Sequence, residues 1–410
     1  MKKSLVLLTV IAAMAAQAEE MDRPGGIQIG SRMTIRPYVS LSFTHDSNAD
    51  STKHSKKGES WTIQPGASLE YKAENWRLTG AAYYSYHAYS SGYSSQQNES
   101  SYGENLAFNW SNSSKGGKGW SLVLSESFQQ ISQDDDATTH GGRGVGRDRN
   151  QFNFGGTLEH RFTDRFHVGV NASYYYLHYD NKADGTYAPL YGWTRWTVGG
   201  EMGYAASKWT DLIVAGSYHG YTSDNSKRYY QGADAPNVKS TSQGWTVQAG
   251  LGSYMTERIS YRVLAGYSHY KINKEKENAP VYTASMNWKM TDNWNMMLLA
   301  SRYYQPSETS RGSSQLTDSI SWGLAHSMVR GKLNATFDIC YRREDHSSTI
   351  GGSGYEQDVL TGRFGLNYSI NRYIGLFGSI EYQTAFYSGR GASDYDYDRW
   401  RGTVGVRFTY

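Results

Sequence analysis

Over most of this chain apolar and polar residues alternate one by one. Between positions 400 and 410, Trp400, Gly402, Val404, Val406, Phe408 and Tyr410 share one parity, and Arg401, Thr403, Gly405, Arg407 and Thr409 share the other. Successive strand residues point to opposite faces, so the segment predicts a strand with one apolar and one charged face. The same period groups Ile35, Val39, Leu41 and Phe43; Phe152, Phe154 and Leu158; Phe166, Val168, Val170 and Ala172; and Leu360, Phe364 and Leu366. No heptad, sustained helical period or linker interrupts it.

One unit recurs: an alternating strand, a tight turn, a second alternating strand and a longer polar loop. Aromatic residues flank most of the tight turns, which fall at 71–76, 110–120, 162–166, 207–211, 254–259, 288–294, 328–333 and 368–373. Loops rich in Ser, Asp, Asn, Gly and Lys fall near 46–59, 90–99, 133–147, 181–190, 224–240, 273–279, 306–314, 346–355 and 388–396. Eight turns and nine loops join about eighteen strands, an even number as in bacterial single-chain barrels. Both chain ends then lie on the turn side, where a chain delivered from the periplasm begins and ends.

A soluble β-sandwich would show a similar period and bury its apolar face. The regular asymmetry of short turns and long loops, with Trp and Tyr paired at the turns, favours instead a transmembrane antiparallel β-barrel. Its turns are periplasmic and its loops extracellular. The mean hydropathy of −0.67 fits this, because every second residue of such a barrel faces water. So do 35 Tyr, 12 Trp and 44 Gly against 7 Pro. The single Cys340 excludes a disulfide scaffold. A net charge of +3 implies no nucleic-acid partner. Residues 1–18 read as a signal peptide: Lys2 and Lys3, an apolar run from Leu5 to Ala16, and Ala16-Gln17-Ala18 for cleavage. Residues 19–31 then form a short periplasmic lead-in, and 32–410 the barrel. So short a lead-in leaves no room for a plug domain.

Parity assigns the polar face to the lumen. It carries the basic residues Arg36, Lys72, Arg77, Arg161, Arg195, Arg262, Lys289, Arg342, Arg363, Arg399, Arg401 and Arg407, and the acids Glu70, Glu159, Glu201, Asp338 and Glu381. Two readings stay open. The basic excess gives a positive field that concentrates anions, or the arginines pair with acids on neighbouring strands and brace the wall. Tyr83, Tyr175, Tyr179 and Tyr303 share the inward parity and could form a slide for sugar rings or fill space. The third loop, 133–147, could fold inward, setting Asp134, Asp135 and Asp136 against the arginine wall.

No motif points to catalysis. Asp46-Ser-Asn48-Ala-Asp50 opens like a calcium loop, but Ser51 and Lys57 stand where an EF-hand needs Gly and Glu. Asp134–Asp136 and Asp394, Asp396 and Asp398 read as solvated loop acids. The Arg143, Arg147 and Arg149 loop has no Walker pattern. His326 and Ser327 are adjacent and so lie on opposite faces. No metal site, cofactor or enzymatic activity is expected.

A strand ending on Phe408 and Tyr410 resembles the closing strand of bacterial outer-membrane β-barrels. The resemblance implies that these two residues carry the signal read by the barrel-assembly machinery. The segment from Tyr38 to Asn48, with its Asp-x-Asn element, resembles a β-barrel porin family linked with exopolysaccharide systems. Together they imply a bacterial outer-membrane porin passing small hydrophilic solutes or ions, with lipid and lipopolysaccharide around it and an oligomer possible. Two other roles stay open: a polysaccharide-export or surface-assembly barrel, and an adhesin or scaffold with a closed lumen.

Overall fold

A computed structural model describes residues 26–48, 57–91, 99–112, 118–131, 149–179, 192–223, 241–253, 258–272, 275–306, 314–346, 355–389 and 396–410. The expectations for the signal peptide, the 133–147 loop with its three acids, Arg143 and Arg147, and the centre of the 254–259 turn lie outside the described residues.

The alternating segments form nineteen strands. They are β1 (Ile27–Ile29), β2 (Met33–Asp46), β3 (Gly58–Lys72), β4 (Trp76–Ser91), β5 (Glu99–Ser111), β6 (Gly119–Ile131), β7 (Arg149–Arg161), β8 (Phe166–Tyr179), β9 (Trp193–Ala205) and β10 (Asp211–Ser223). Then follow β11 (Thr241–Ser253), β12 (Ile259–Ile272), β13 (Glu275–Lys289), β14 (Trp294–Pro306), β15 (Ser314–Met328), β16 (Leu333–His346), β17 (Tyr355–Ser369), β18 (Ile374–Gly389) and β19 (Tyr397–Thr409). From β2 to β19 each strand pairs antiparallel with its chain neighbours, and β19 pairs with β2, closing an eighteen-stranded barrel.

The seam has a specific construction. β19 covers the edge of β2 from Asp46 to Tyr38, and the Tyr410 N–H donates to Pro37 O at 3.0 Å. The reciprocal bond at that rung is the one a proline cannot make, so Pro37 falls where the loss is confined to the end of the ladder. Just beyond, β1 takes the remaining edge, Ile27 opposite Ile35 and Ile29 opposite Met33. The segment 19–31 thus ends in a short strand that extends the line of β19, a feature its three residues give no period to reveal.

The outward face is apolar and bare. Val404 is 61% exposed and Val198 55%, so more than half of each is left uncovered by protein and needs lipid to cover it. Aromatic rings bound this face at both ends. On the turn side Tyr71 stacks on Trp76 at 4.6 Å, and Trp294 on His326 at 3.8 Å. On the loop side Phe43 meets Trp61 at 5.0 Å, and Tyr382 meets Trp400 at 4.6 Å. Such belts sit at membrane–water boundaries, where a ring can be half apolar and half wet.

The tight turns are held by side-chain oxygens. Thr163 Oγ1 accepts from the N–H groups of Arg165 (3.2 Å) and Phe166 (3.0 Å). Thr291 does the same for Asn293 and Trp294 at 3.3 and 3.1 Å, and Asn371 for Tyr373 and Ile374 at 2.8 and 3.0 Å. These short polar chains satisfy backbone donors that the reversing strand leaves unpaired. The turn between β15 and β16 works differently: Val329 and Arg330 adopt φ of 53° and 55°, closing a Met328–Gly331 turn with a 3.1 Å bond.

Inside, the buried apolar residues all lie on the lumen parity. Leu177, Trp193 and Tyr221 form one cluster, Val359, Ala385, Tyr387 and Tyr397 a second, and Ile213, Ala215 and Leu264 a third. The inner wall is therefore polar in some sectors and packed in others, which alternation alone does not distinguish.

Candidate functional site

Register across the seam sets five charged residues in one row. Asp338 on β16 lies opposite Arg363 on β17, Arg363 opposite Glu381 on β18, Glu381 opposite Arg401 on β19, and Arg401 opposite Asp46 on β2. Charge alternates along the row. Arg363 Nε donates to Glu381 Oε2 at 3.0 Å, and Arg401 Nε to Asp46 Oδ2 at 3.2 Å. Arg399, one rung toward the loops, donates from Nε to the same Asp46 oxygen at 2.7 Å. The Asp-x-Asn element belongs to this latch. Asp46 Oδ1 accepts from Asn48 N at 2.9 Å, and Asn48 Nδ2 donates to Asp398 O at 3.0 Å.

A second knot lies on the turn side of the same wall. Glu70 is contacted by Arg77 at 2.6 Å, Lys72 at 3.0 Å and Arg36 at 3.6 Å. Elsewhere Arg262 Nη1 donates to Glu201 at 2.8 Å, Arg342 meets Glu344 at 2.9 Å, and Lys289 meets Asp292 at 3.1 Å. Nine of the twelve basic residues assigned to the lumen parity thus reach a carboxylate. Arg407 lies over the ring of Tyr38 at 5.1 Å. Arg195 is buried, with its guanidinium 5.9 Å from the Trp193 ring centroid, and makes no ion pair with the described residues; neither do Arg161 and Glu159.

Sequence reasoning missed part of the acidic side. Asp46, Asp211, Glu277 and Glu344 share the lumen parity with the five acids already assigned. Asp46 was hidden because it ends a strand and had been read with the loop after it. Glu344 was hidden because near its end β16 reads Arg342-Arg343-Glu344-Asp345, which is charged on both faces. Arg149, read with the loop before β7, also lies buried on the lumen parity, so among the described residues nine acids stand against thirteen basic residues and the basic excess is smaller than the sequence suggested.

Between the seam row and the strands beyond it the wall encloses a cavity of about 160 Å³. Its lining is Thr44, Ser60, Thr62, His87, Tyr89, Arg363, Ser379, Glu381, Arg401 and Thr403, drawn from β17, β18, β19, β2, β3 and β4. Six consecutive strands of the closed cylinder contribute, so the cavity exists only once β19 has met β2.

Residues 23–410 match the family described as Putative beta-barrel porin 2. The chain belongs to that family. It is a porin-type barrel of the bacterial outer membrane. No curated protein matches the sequence. Solved structures similar to this porin include the FrpB iron transporter from Neisseria meningitidis (F5-1 variant, apoprotein), at 10% identity over 96% of this chain and 83% of that one, with a TM-score of 0.46. OpdK from Pseudomonas aeruginosa covers 92% of this chain and 99% of its own at 10% identity and a TM-score of 0.44. The siderophore receptor PirA from Acinetobacter baumannii covers 94% and 81% at 9% identity, again with a TM-score of 0.44.

The porin also carries two charges on its lipid side. Glu104 on β5 and Glu126 on β6 share the outward parity with Leu106 and Phe128. Each lies six residues from a turn-side tryptophan, Trp110 or Trp120, which at about 3.3 Å per residue and ~40° of tilt is roughly 15 Å into the bilayer. They flank a groove of about 370 Å³ floored by Gly80, Ala82 and Leu69. The alternation of β5 and β6 looked polar on both faces, so neither acid stood out in the sequence.

Of the inward tyrosines, Tyr83 accepts a hydrogen bond from Gln129 at 3.0 Å and Tyr175 packs 4.5 Å from Trp193. Tyr303 lies on β14 and Tyr179 at the end of β8. Tyr83, Tyr175 and Tyr303 thus stand on three strands that are not neighbours, β4, β8 and β14.

Proposed function

We propose that the barrel is a water-filled channel for passive diffusion of small hydrophilic solutes and ions. The observation that supports this reading is the inner wall of β17 to β4, where a row of charged side chains and a cavity lined by hydroxyls, His87 and charged groups give the lumen side a hydrophilic face suited to water and polar solutes. A steady conductance of the purified, refolded protein in a planar bilayer is the expected result; a folded barrel that passes no current would defeat it.

A mild anion preference goes with this reading. Paired arginines contribute little net field, so the preference falls to the basic groups without an acid partner among the described residues, Arg161 and Arg195. Replacing both with Gln should move the reversal potential across a KCl gradient toward cation preference, whereas replacing Arg363 and Arg401 should do so less. Upstream, residues 1–18 are cleaved on export after Ala18. Phe408 and Tyr410 are read by the barrel-assembly machinery, and the mature barrel sits among lipid and lipopolysaccharide.

A second reading is favoured by the buried clusters inside the wall, Val359–Ala385–Tyr387–Tyr397 above all. A lumen packed at such sectors suits a polysaccharide-export or surface-assembly barrel, or a surface scaffold. The same conductance measurement separates them.

A further inference from the structure

We propose that the seam cavity binds a neutral, polyhydroxylated ring, a saccharide of about hexose size, on the diffusion path. This rests on the channel reading and names the solute class that the wall recognises.

The decisive geometry is the Arg363–Glu381 pair. Arg363 places Nε and Nη2 on the same carboxylate oxygen, Glu381 Oε2, at 3.0 and 2.5 Å. The fork is therefore offset by one atom. Arg363 Nη1 and Glu381 Oε1 stay outside the pair; among the described residues Nη1 donates to no other side chain and Oε1 accepts from none. One donor and one acceptor stand side by side, each held in place by the bond next to it. A hydroxyl group both donates and accepts, so adjacent hydroxyls on a ring match this pair. A carboxylate offers acceptors only and would meet the charge of Glu381.

The rest of the lining agrees. Thr44 and Thr403 hydroxyls share a 3.0 Å bond across the closing seam, and either can turn its second valence to a guest. Thr62 Oγ1 lies 3.0 Å from His87 Nδ1, and His87 Nε2 is 3.4 Å from Ser101 Oγ, which fixes the imidazole plane. Tyr89 lies nearly parallel to that ring, at 16° and 6.5 Å. One side of the cavity is thus a flat ring surface for C–H groups, and the other a set of rotatable hydroxyls and a fixed donor–acceptor pair. About 160 Å³ is far more than one water occupies.

The test is single-channel recording of the full barrel with D-glucose as probe and D-glucuronate as its charged counterpart. The expected result is a saturable fall in current with glucose in the millimolar range, weakened at least tenfold in half-saturation by Glu381→Gln and by Arg363→Gln. Ser127→Ala, on β6 outside the cavity lining, should keep the wild-type half-saturation. Because Arg363→Gln could impair folding, heat-modifiability is read for each variant, and Thr62→Val supplies a milder lesion that should also raise half-saturation. A current that falls linearly with glucose, unchanged by the three cavity variants, overturns the site. Tighter block by glucuronate than by glucose overturns the neutral class. If the wild type folds but conducts nothing, the channel reading fails by itself. Titration calorimetry of the folded barrel with glucose then decides the site: saturable heat lost in Glu381→Gln supports it, and none in the wild type overturns it.

Discussion

Arg399 on β19 donates its Nε hydrogen to Asp46 on β2 at 2.7 Å, joining residues 353 positions apart. The two side chains are 2% and 0% exposed, and the pair stands beside the last loop-side rungs of the ladder that closes the barrel. Asp46 also takes Arg401 and caps Asn48, so one carboxylate ties together the start and the end of the barrel strands.

Removing one partner of a buried pair leaves the other charge uncompensated, at a cost of about 3–5 kcal/mol. Asp46→Ala is therefore expected to lower the folded, heat-modifiable fraction and the urea midpoint more than Glu70→Ala, whose partners are more exposed. The double variant Asp46→Leu with Arg399→Met should recover part of the loss. Equal midpoints for wild type and Asp46→Ala would show that the seam closes without the latch.

The Val329–Arg330 turn holds two non-glycine residues at positive φ. The left-handed region costs an L-residue roughly 1–2 kcal/mol, most for a β-branched one. Replacing the pair by Asn-Gly, the residues this turn geometry favours, should raise the unfolding free energy by about 1 kcal/mol or more. A denaturant titration in lipid vesicles reads it directly, and a decrease would mean that Val329 is held there by something the gain in backbone freedom does not outweigh.

Glu104 and Glu126 face lipid near mid-depth, where a carboxylate is unfavourable, though less so than Arg or Lys. Glu104→Leu and Glu126→Leu should each stabilise the isolated barrel in a bilayer. If instead both variants lose stability or change oligomeric state by sedimentation, the groove they flank is covered by protein in the native membrane.

Phe408 and Tyr410 close the apolar face of β19, and the Tyr410 N–H is a rung of the seam. Deleting Tyr410 should reduce assembly in cells while leaving the conductance of the molecules that do fold unchanged. Undiminished assembly after loss of both aromatics would remove the insertion role.

Cysteines placed singly at 164 and 49 should differ in labelling on intact cells. The first lies in the Thr163-capped turn and the second beyond the loop end of β2. Labelling at 164 with none at 49 would invert the orientation.

The strand residues and their faces were legible because a strand repeats every two residues: the period can be counted without knowing any partner. Val39 and Leu41 on one face, Arg363 and Arg401 on the other, follow from parity alone, as does an even number of strands from the alternation of short turns with long loops. Turn positions followed from the aromatic residues that flank them, such as Phe162 and Phe166 or Trp288 and Trp294. All of these are local properties, set within a few residues by covalent geometry and sterics.

What tertiary structure decided is everything that depends on register between distant segments. That Arg401 stands between Glu381 and Asp46, and so spends its charge on the wall, is fixed by how β19 slides against β18 and β2. A shift of two residues would preserve every face and break every pair. The β1 strand, the cavity spanning the seam and the packed sectors of the lumen are likewise products of closure. Periodicity says which way a side chain points; only the closed sheet, by removing its last two edges, says what it meets.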